Sequence, residues 1–255
     1  LLLRSRLLQH LRQSENALND INDAIFLEPT LYSSYEARGH FFLHVRSYEL
    51  AVDSFSKAIF FEKNKAGLFN DRGTAYSNLR MTDKALADFD RALELDPDFI
   101  QARSNRANSL RDLKRLDEAQ SILEELIIQY PNFAEAKNNL GAVLVDRLQT
   151  EAALKSFDAA IAANPLYADA YSNSGAANIY LGRFEEAKLK FTKALEIAPD
   201  HADAHWNLAL CDLTCGNLES GWKEYEWRWK NFNLNIPANR RAFVPRLWHS
   251  EEELR

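Results

Sequence analysis

Residues 66–99 read AGLFNDRGTAYSNLRMTDKALADFDRALELDPDF, and the proline near the end of this stretch recurs at a fixed interval along the chain. Five prolines are spaced by 34 residues or a multiple of 34: Pro29, Pro97, Pro131, Pro165 and Pro199. Lys63 occupies the one position of this series that has no proline. Self-similarity at this period is typical of arrays of two-helix units, each of which buries its apolar face against its neighbours. The interval therefore predicts an all-α repeat array.

The same interval divides the chain into seven blocks, the first of them truncated at its start. The blocks are residues 1–31, 32–65, 66–99, 100–133, 134–167, 168–201 and 202–230. Residues 231–255 follow as a C-terminal linker or cap segment. Each block reads as helix A, a tight turn, helix B and a short turn. Helix B ends at the proline-bearing turn, because proline lacks a backbone N–H and restricts the residue before it.

Small and large residues recur at fixed positions of the blocks. One slot of helix A holds a small residue: Ser5, Gly39, Gly73, Ala107, Gly141, Gly175 and Ala209. One slot of helix B holds a large one: Ile21, Phe55, Phe89, Leu123, Phe157, Phe191 and Tyr225. Glycine inside a helix costs about 1 kcal/mol relative to alanine, so its recurrence needs a structural reason. We expect the small slot to permit a close approach of helix A to helix B.

Residues 69–97 (FNDRGTAYSNLRMTDKALADFDRALELDP) and 171–199 (YSNSGAANIYLGRFEEAKLKFTKALEIAP) resemble the tetratricopeptide repeat family, because small, aromatic and proline positions recur together. The resemblance implies a right-handed α-solenoid of about seven helix–turn–helix repeats with a C-terminal capping helix. It also implies a protein-interaction scaffold that binds an extended polypeptide in its concave groove. Lys63, Leu126 and Asn178 depart from the family pattern, and we expect local looseness there rather than loss of the fold.

The C-terminal part is rich in tryptophan. Residues 216–232 (GNLESGWKEYEWRWKNF) are predicted to form the last helix B, with one apolar stripe that caps the array: Leu218, Trp222, Tyr225 and Trp229. Trp227 lies off this stripe, so another residue is expected to cover its ring. With Phe243, Pro245 and Trp248, this ending resembles bacterial proteins in which repeats precede a glycosyltransferase-like domain, as in O-linked N-acetylglucosamine transferases. The alternative function implied is substrate recognition for a catalytic domain beyond residue 255.

A row of polar residues marks the sixth position of the blocks, in helix A: Asp71, Asn105, Asn139, Asn173 and Asn207. Asparagine is unfavourable inside helices because its amide competes for backbone hydrogen bonds. Four in one slot therefore indicate a role, and a carboxamide offers two donors and an acceptor to the backbone of an extended peptide. The transferase resemblance implies the same role for these asparagines. The alternative is that the amides bond only between repeats or to water.

Further polar residues extend this candidate groove: Asn108, Asp112 and Asp146. An amide-rich, acidic groove should prefer neutral or basic segments and bind them with salt-sensitive affinity. Arg111 alone does not supply the basic cluster that would clamp a C-terminal carboxylate.

A row of arginines lies one position after the polar row: Arg4, Arg38, Arg72 and Arg106. We expect each to bury its stem and to pair with helix-B carboxylates such as Asp53 or Asp88. The alternative is a basic stripe for an acidic partner.

Catalytic and metal-binding motifs are absent from the sequence, and no cofactor is expected. No phosphate-binding glycine loop, nucleophile elbow or HExxH motif occurs. His40 and His44 are four residues apart, but the sequence shows no third ligand, so no metal site is expected. The chain is predicted not to be an enzyme.

Composition narrows the choice of partners further. The formal net charge of −6 argues against general nucleic-acid binding, and no apolar run is long enough to cross a membrane. Cys211 and Cys215 have a spacing that suits neither a zinc site nor a helical disulfide, which favours a reducing, cytoplasmic setting. Weak self-association through the convex face or the aromatic end stays open.

Overall fold

The computed structural model describes residues 14–229, which form thirteen α-helices and a closing 3-10 turn, with no strand among them. Helices B are α1 (Ser14–Leu27), α3 (Tyr48–Phe61), α5 (Thr82–Leu95), α7 (Leu116–Gln129), α9 (Thr150–Ala163), α11 (Phe184–Ile197) and α13 (Leu218–Tyr225). Helices A are α2 (Tyr32–His44), α4 (Ala66–Asn78), α6 (Ile100–Asp112), α8 (Ala134–Asp146), α10 (Ala168–Tyr180) and α12 (Ala202–Thr214). Every helix begins 34 residues after its counterpart in the preceding repeat, so the predicted all-α repeat fold is confirmed.

Residue contacts divide the chain into two compact units. Unit one ends at Val143 and unit two begins at Leu144, so the boundary falls within α8. Within each unit, consecutive helices pack against one another, and successive helices A are also in contact: α2 with α4 and α4 with α6 in unit one, α10 with α12 in unit two. The helices A of a unit thus form one continuous surface.

The small and large slots meet inside individual repeats. The side chains of Phe55, Phe89, Phe157 and Phe191 are each at most 1% exposed. A Cβ atom built on Gly73 would lie 2.7 Å from Cε1 of Phe89, and on Gly175 2.6 Å from Cε1 of Phe191. Real side chains do not approach so closely, which explains the glycines and confirms the expected close approach of the two helices.

In the fourth repeat, residues of different size fill the small slot of helix A and the large slot of helix B and still pack together. Ala107 replaces the glycine of helix A, and Leu123 replaces the phenylalanine of helix B; both are fully buried in one cluster. A larger residue on one helix is therefore matched by a smaller one on the other, as close packing requires.

The arginine row binds helix-B carboxylates, as expected. Arg72 donates from Nε and Nη2 to the two carboxylate oxygens of Asp88 at 2.8 and 2.7 Å. Arg106 Nε donates to Asp90 Oδ1 at 2.6 Å, and Arg38 Nε donates to Ser54 Oγ at 3.0 Å, with Asp53 nearby. Hydrogen bonding to Asp88 raises the pKa of Arg72. Arg4 lies outside the described residues.

Two of the turns after helix B, one with proline and one without, close through the same kind of side-chain hydrogen bond. Asp96 Oδ1 accepts from the backbone N–H of Asp98 at 3.2 Å. Glu62 Oε1 accepts from the N–H of Asn64 at 2.9 Å, next to Lys63. In these two repeats the side chain before the proline position closes the turn, whether or not proline follows it.

The turn between helix A and helix B places one residue in the left-handed region in six repeats: Arg46, Arg80, Lys114, Leu148, Gly182 and Gly216. This conformation strains side chains other than glycine. Leu148, with φ of 61°, is also 90% exposed, so its side chain contributes little packing in return.

Leu148→Gly is therefore expected to raise the free energy of unfolding by about 0.5–1 kcal/mol, the relief of strain exceeding the entropy that glycine adds to the unfolded chain. Gly182→Ala, at φ of 71°, should lower the free energy of unfolding by a similar amount. Chemical denaturation of both variants measures the difference. Equal stability of the two variants would show that the turn imposes no left-handed conformation.

The C-terminal cap differs in part from the prediction. Helix α13 ends at Tyr225, and Glu226–Trp229 form a 3-10 turn, so the predicted helical stripe is wrong beyond Tyr225. Trp222 is 53% exposed, and its ring meets Tyr225 edge-on at 5.4 Å. The Trp227 ring stacks on His205 at 3.8 Å, which identifies the residue that covers it. Residues 231–255, with Phe243, Pro245 and Trp248, lie outside the described residues, as does Ser5.

Candidate functional site

The helices A carry all of the predicted peptide-binding residues. We call the joint surface of α2, α4, α6 and the first part of α8 the helix-A surface of unit one, and that of α10 and α12 the helix-A surface of unit two. Asp71, Asn105, Asn108, Asp112 and Asn139 belong to unit one. Asn173 and Asn207 belong to the helix-A surface of unit two, and Asp146 ends α8 at the start of that unit.

Two members of the asparagine row form hydrogen bonds between repeats. Asn105 Nδ2 donates to Asn70 Oδ1 on α4 at 3.0 Å. Asn139 Nδ2 donates to Ser104 Oγ on α6 at 3.0 Å, and this asparagine is only 6% exposed. In both cases the partner lies 35 residues earlier in the chain. The amides therefore join successive repeats, as the alternative interpretation of the row anticipates, and Asn139 has little surface left for a ligand.

The remaining polar residues of unit one are more accessible. Asn105, Asn108 and Asp112 have the i, i+3, i+7 spacing that places them on one face of α6. Asn105 is half-buried and Asp112 is exposed. Asn108 Oδ1 is buried and accepts no hydrogen bond from the described residues. A buried acceptor without a partner is costly.

The surface is less acidic than the sequence alone suggests, because a lysine and an arginine of the chain lie against two of its carboxylates. Glu36 accepts two hydrogen bonds from Lys65 Nζ, at 2.7 and 2.9 Å. Arg111 lies 3.9 Å from Asp112. The expected salt sensitivity of binding should accordingly be modest.

Unit two contains a cavity of about 220 Å³ between its two helices A. Its lining is mostly apolar: Ala176, Ile179, Tyr180, Phe184, Asn207, Leu210, Cys211 and Thr214. Asn207 is half-buried and places a carboxamide in this apolar wall, and Tyr180 is 73% exposed beside it. Asn173 has a partner within the chain. Asp146, at the end of α8, is exposed. A cavity that combines apolar walls with a few polar groups, here including Asn207 and Thr214, has the lining expected of a ligand site.

Sequence reasoning found Asn207 but missed the apolar side chains around it. Tyr180 and Leu210 carry no chemical motif, and their exposure of 73% and 38% follows only from the packed helices. It also missed Glu36, which lies four residues before His40 on α2. An i, i+4 search that included carboxylates would have found this pair.

Both cysteines are free, as expected, and they differ in environment. Cys211 is buried in the cavity wall and donates its S–H to the carbonyl of Phe184 at 3.3 Å, whereas Cys215 is exposed. Burial raises the pKa of Cys211 to about 11.

A thiol reagent at about pH 8 is therefore expected to modify Cys215 quickly and Cys211 slowly, since only about one in a thousand Cys211 side chains would be thiolate. Counting reacted thiols against time tests this, with the unfolded chain as the reference for two reactive thiols. Cys215→Ser should remove the fast phase. Equal rates for both thiols in the folded chain would contradict the buried position of Cys211.

The packed helix pairs and their repeated small-to-large contacts define an α-helical repeat protein. Family models agree on the class: tetratricopeptide repeat models match residues 66–99, 104–168 and 168–201, together about half of the chain. The chain is a tetratricopeptide-repeat protein, a class of protein-interaction scaffolds that are typically non-catalytic. No match was found among curated protein sequences.

Solved structures show the same fold at low sequence identity. The Cut9–Hcn1 assembly of APC/C aligns with a TM-score of 0.71 at 17% identity over 89% of this chain, and yeast Tom70 with 0.66 at 24% over 84%. The chain spans less than half of each, 45% and 46%. A thermophilic tetratricopeptide-repeat protein of Thermus thermophilus, TTC0263, aligns with 0.61 at 23% identity, covering 69% of this chain and 97% of that one. None of these comparisons supports the resemblance to glycosyltransferase-linked proteins.

No helix among residues 14–229 combines the length and apolar character needed to cross a membrane.

Proposed function

We propose that this scaffold binds an extended polypeptide on its helix-A surfaces. The cavity beside Asn207 carries the proposal, because it pairs a carboxamide with a pocket for one apolar side chain. The carboxamide would hold a peptide backbone group while the apolar walls take the neighbouring side chain. On the helix-A surface of unit one, Asn105, Asn108 and Asp112 would offer polar groups to a peptide backbone.

The hydrogen bonds of the asparagine row support this function in a second way. Asn105 is held by Asn70, so its amide has a fixed orientation before any ligand arrives. A group that is already ordered loses less entropy on binding. Asn139, which is buried, would act by aligning successive repeats rather than by touching the polypeptide.

The experiment begins with selection of binders from a library of unstructured peptides, followed by fluorescence anisotropy with the best binder. Asn207→Ala is expected to weaken binding about tenfold, which corresponds to about 1.4 kcal/mol for its lost hydrogen bonds. Ala176→Leu narrows the cavity but keeps the Asn207 amide. It should weaken binding most for peptides that carry a large apolar side chain. Asn132→Ala, in the exposed turn after Pro131, is the matched control.

Thermal unfolding of each variant separates loss of binding from loss of fold. Unchanged affinity in folded Asn207→Ala and Ala176→Leu would remove the cavity from the binding site. Affinity capture from a lysate with the same three variants then identifies natural partners by their dependence on Asn207.

The association with a glycosyltransferase stays a prediction for the parent protein. It rests on the aromatic ending around Trp222 and Trp227. Reading the gene beyond the codon for Arg255 tests it: an encoded α/β domain with sugar-nucleotide-binding features would support the association, and an early stop codon would end it.

A further inference from the structure

Three potential metal ligands meet on the helix-A surface of unit one. Glu36 and His40 come from α2, and Asp71 comes from α4 in the next repeat. One ligand atom from each side chain lies within 4.8 Å of the other two. His44, the other histidine of α2, does not belong to this group. The cluster therefore differs from the histidine pair that the sequence spacing suggests.

Local structure explains why the three side chains converge. Residues four apart on a helix share one face, which aligns Glu36 with His40. Contact between α2 and α4 then brings Asp71 to His40, with 3.3 Å between Oδ2 and Nε2. The His40 ring rests edge-on against Phe55 at 5.3 Å, and Asn70 Nδ2 donates to Asp71 Oδ1 at 3.2 Å. Such supporting contacts orient metal ligands in proteins.

The donor set indicates the class of cation. One imidazole nitrogen and two carboxylate oxygens suit zinc and its first-row neighbours, whereas magnesium and calcium prefer oxygen ligands alone. A tetrahedral zinc ion with ligands at about 2.1 Å needs donor atoms about 3.4 Å apart, so a small inward movement of the side chains is enough. The His40 side chain is free to make this movement, because 45% of it is exposed. Three ligands leave one coordination position open.

Charge balance also favours a bound cation. Glu36 and Asp71 place two carboxylate oxygens within 4.8 Å of each other. Lys65 neutralises Glu36 at 2.7 Å and would compete with a metal for that carboxylate. A divalent ion would satisfy both carboxylates and release the Lys65 ammonium to solvent, where part of its side chain already lies.

We propose that Glu36, His40 and Asp71 form an open binding site for one divalent transition-metal ion, with zinc as the representative. The site is distinct from the cavity beside Asn207, which lies in unit two. Its metal affinity can be measured without any peptide, so its failure would leave the proposed peptide binding untouched.

The test is titration of the chelator-treated chain with Zn²⁺ by calorimetry and with Co²⁺ by visible absorption. The chain and His44→Gln should each bind one ion that His40→Gln and Asp71→Asn bind at least about tenfold more weakly. The same two substitutions should remove the visible Co²⁺ bands. His44→Gln is the matched control because it removes an exposed histidine from the same helix.

Lys65→Met gives an independent result of opposite sign. Removal of the competing ammonium should tighten Zn²⁺ binding, whereas a merely structural role for Lys65 would leave the affinity unchanged. Circular dichroism confirms that each variant is folded. Absence of binding in the chain itself, or equal affinity in His40→Gln and His44→Gln, would overturn the proposal.

Discussion

Phe89→Ala is expected to lower the free energy of unfolding by about 3–5 kcal/mol, the usual cost of removing a buried aromatic ring. Phe89 is 1% exposed and fills the space that Gly73 leaves on the facing helix. Its loss leaves a cavity between α4 and α5, which form one repeat. Chemical denaturation measures the change, and hydrogen exchange should show faster opening of these two helices first.

The close contact between the small and the large slot also predicts how substitutions of Gly73 and Phe89 affect stability together. Gly73→Ala alone should be destabilising, because its Cβ would meet Phe89 at 2.7 Å. Combining it with Phe89→Leu reproduces the natural pair Ala107 and Leu123 of the next repeat. The double variant should be more stable than the sum of the single effects, and a double-mutant cycle measures this coupling. Strict additivity would show that the two slots do not determine each other.

Arg72→Met should cost about 3–5 kcal/mol, since it leaves the buried Asp88 carboxylate without its partner. The two side chains are 20% and 9% exposed and share two hydrogen bonds. Arg38→Met is the matched control, because Asp53 is 53% exposed and an exposed pair contributes about 0–1 kcal/mol.

Denaturation curves of the two arginine variants show what determines the contribution of each arginine to stability. It is either the burial of its carboxylate partner or only the position of the arginine in the repeat. A large loss in Arg72→Met and a small one in Arg38→Met is expected. Small losses in both variants would mean that the arginines act mainly through their apolar stems, which the substitution to methionine largely keeps.

The period of the sequence was sufficient to predict the helices, and for a physical reason. Each repeat must stack on similar neighbours, so positions such as Gly73 and Phe89 recur at the spacing of the units themselves. The end of the array lacks a following neighbour. There α13 passes into a 3-10 turn at Glu226, and Trp227 stacks on His205, neither of which a period could indicate.

For the candidate site, the sequence predicted which repeat positions carry the polar residues but not what surrounds them. The sequence placed Asn105, Asn139 and Asn207 at equivalent positions, yet their surroundings differ. Asn139 is buried against Ser104, whereas Asn207 borders a cavity. These differences arise from residues on the adjacent helix, which lie about one repeat away in sequence and carry no motif. Convergence of Glu36, His40 and Asp71 likewise depends on contact between α2 and α4.

Site-specific photo-crosslinking tests most directly whether helices A form the binding surface. A photoreactive phenylalanine would replace either Tyr180 on α10 or Leu189 on α11, two side chains of equal exposure at 73%. Binding to the helix-A surface predicts that the selected peptide crosslinks to the probe at position 180 and not to that at 189. Crosslinking at position 189 with none at 180 would place the polypeptide on helices B and contradict the proposed function.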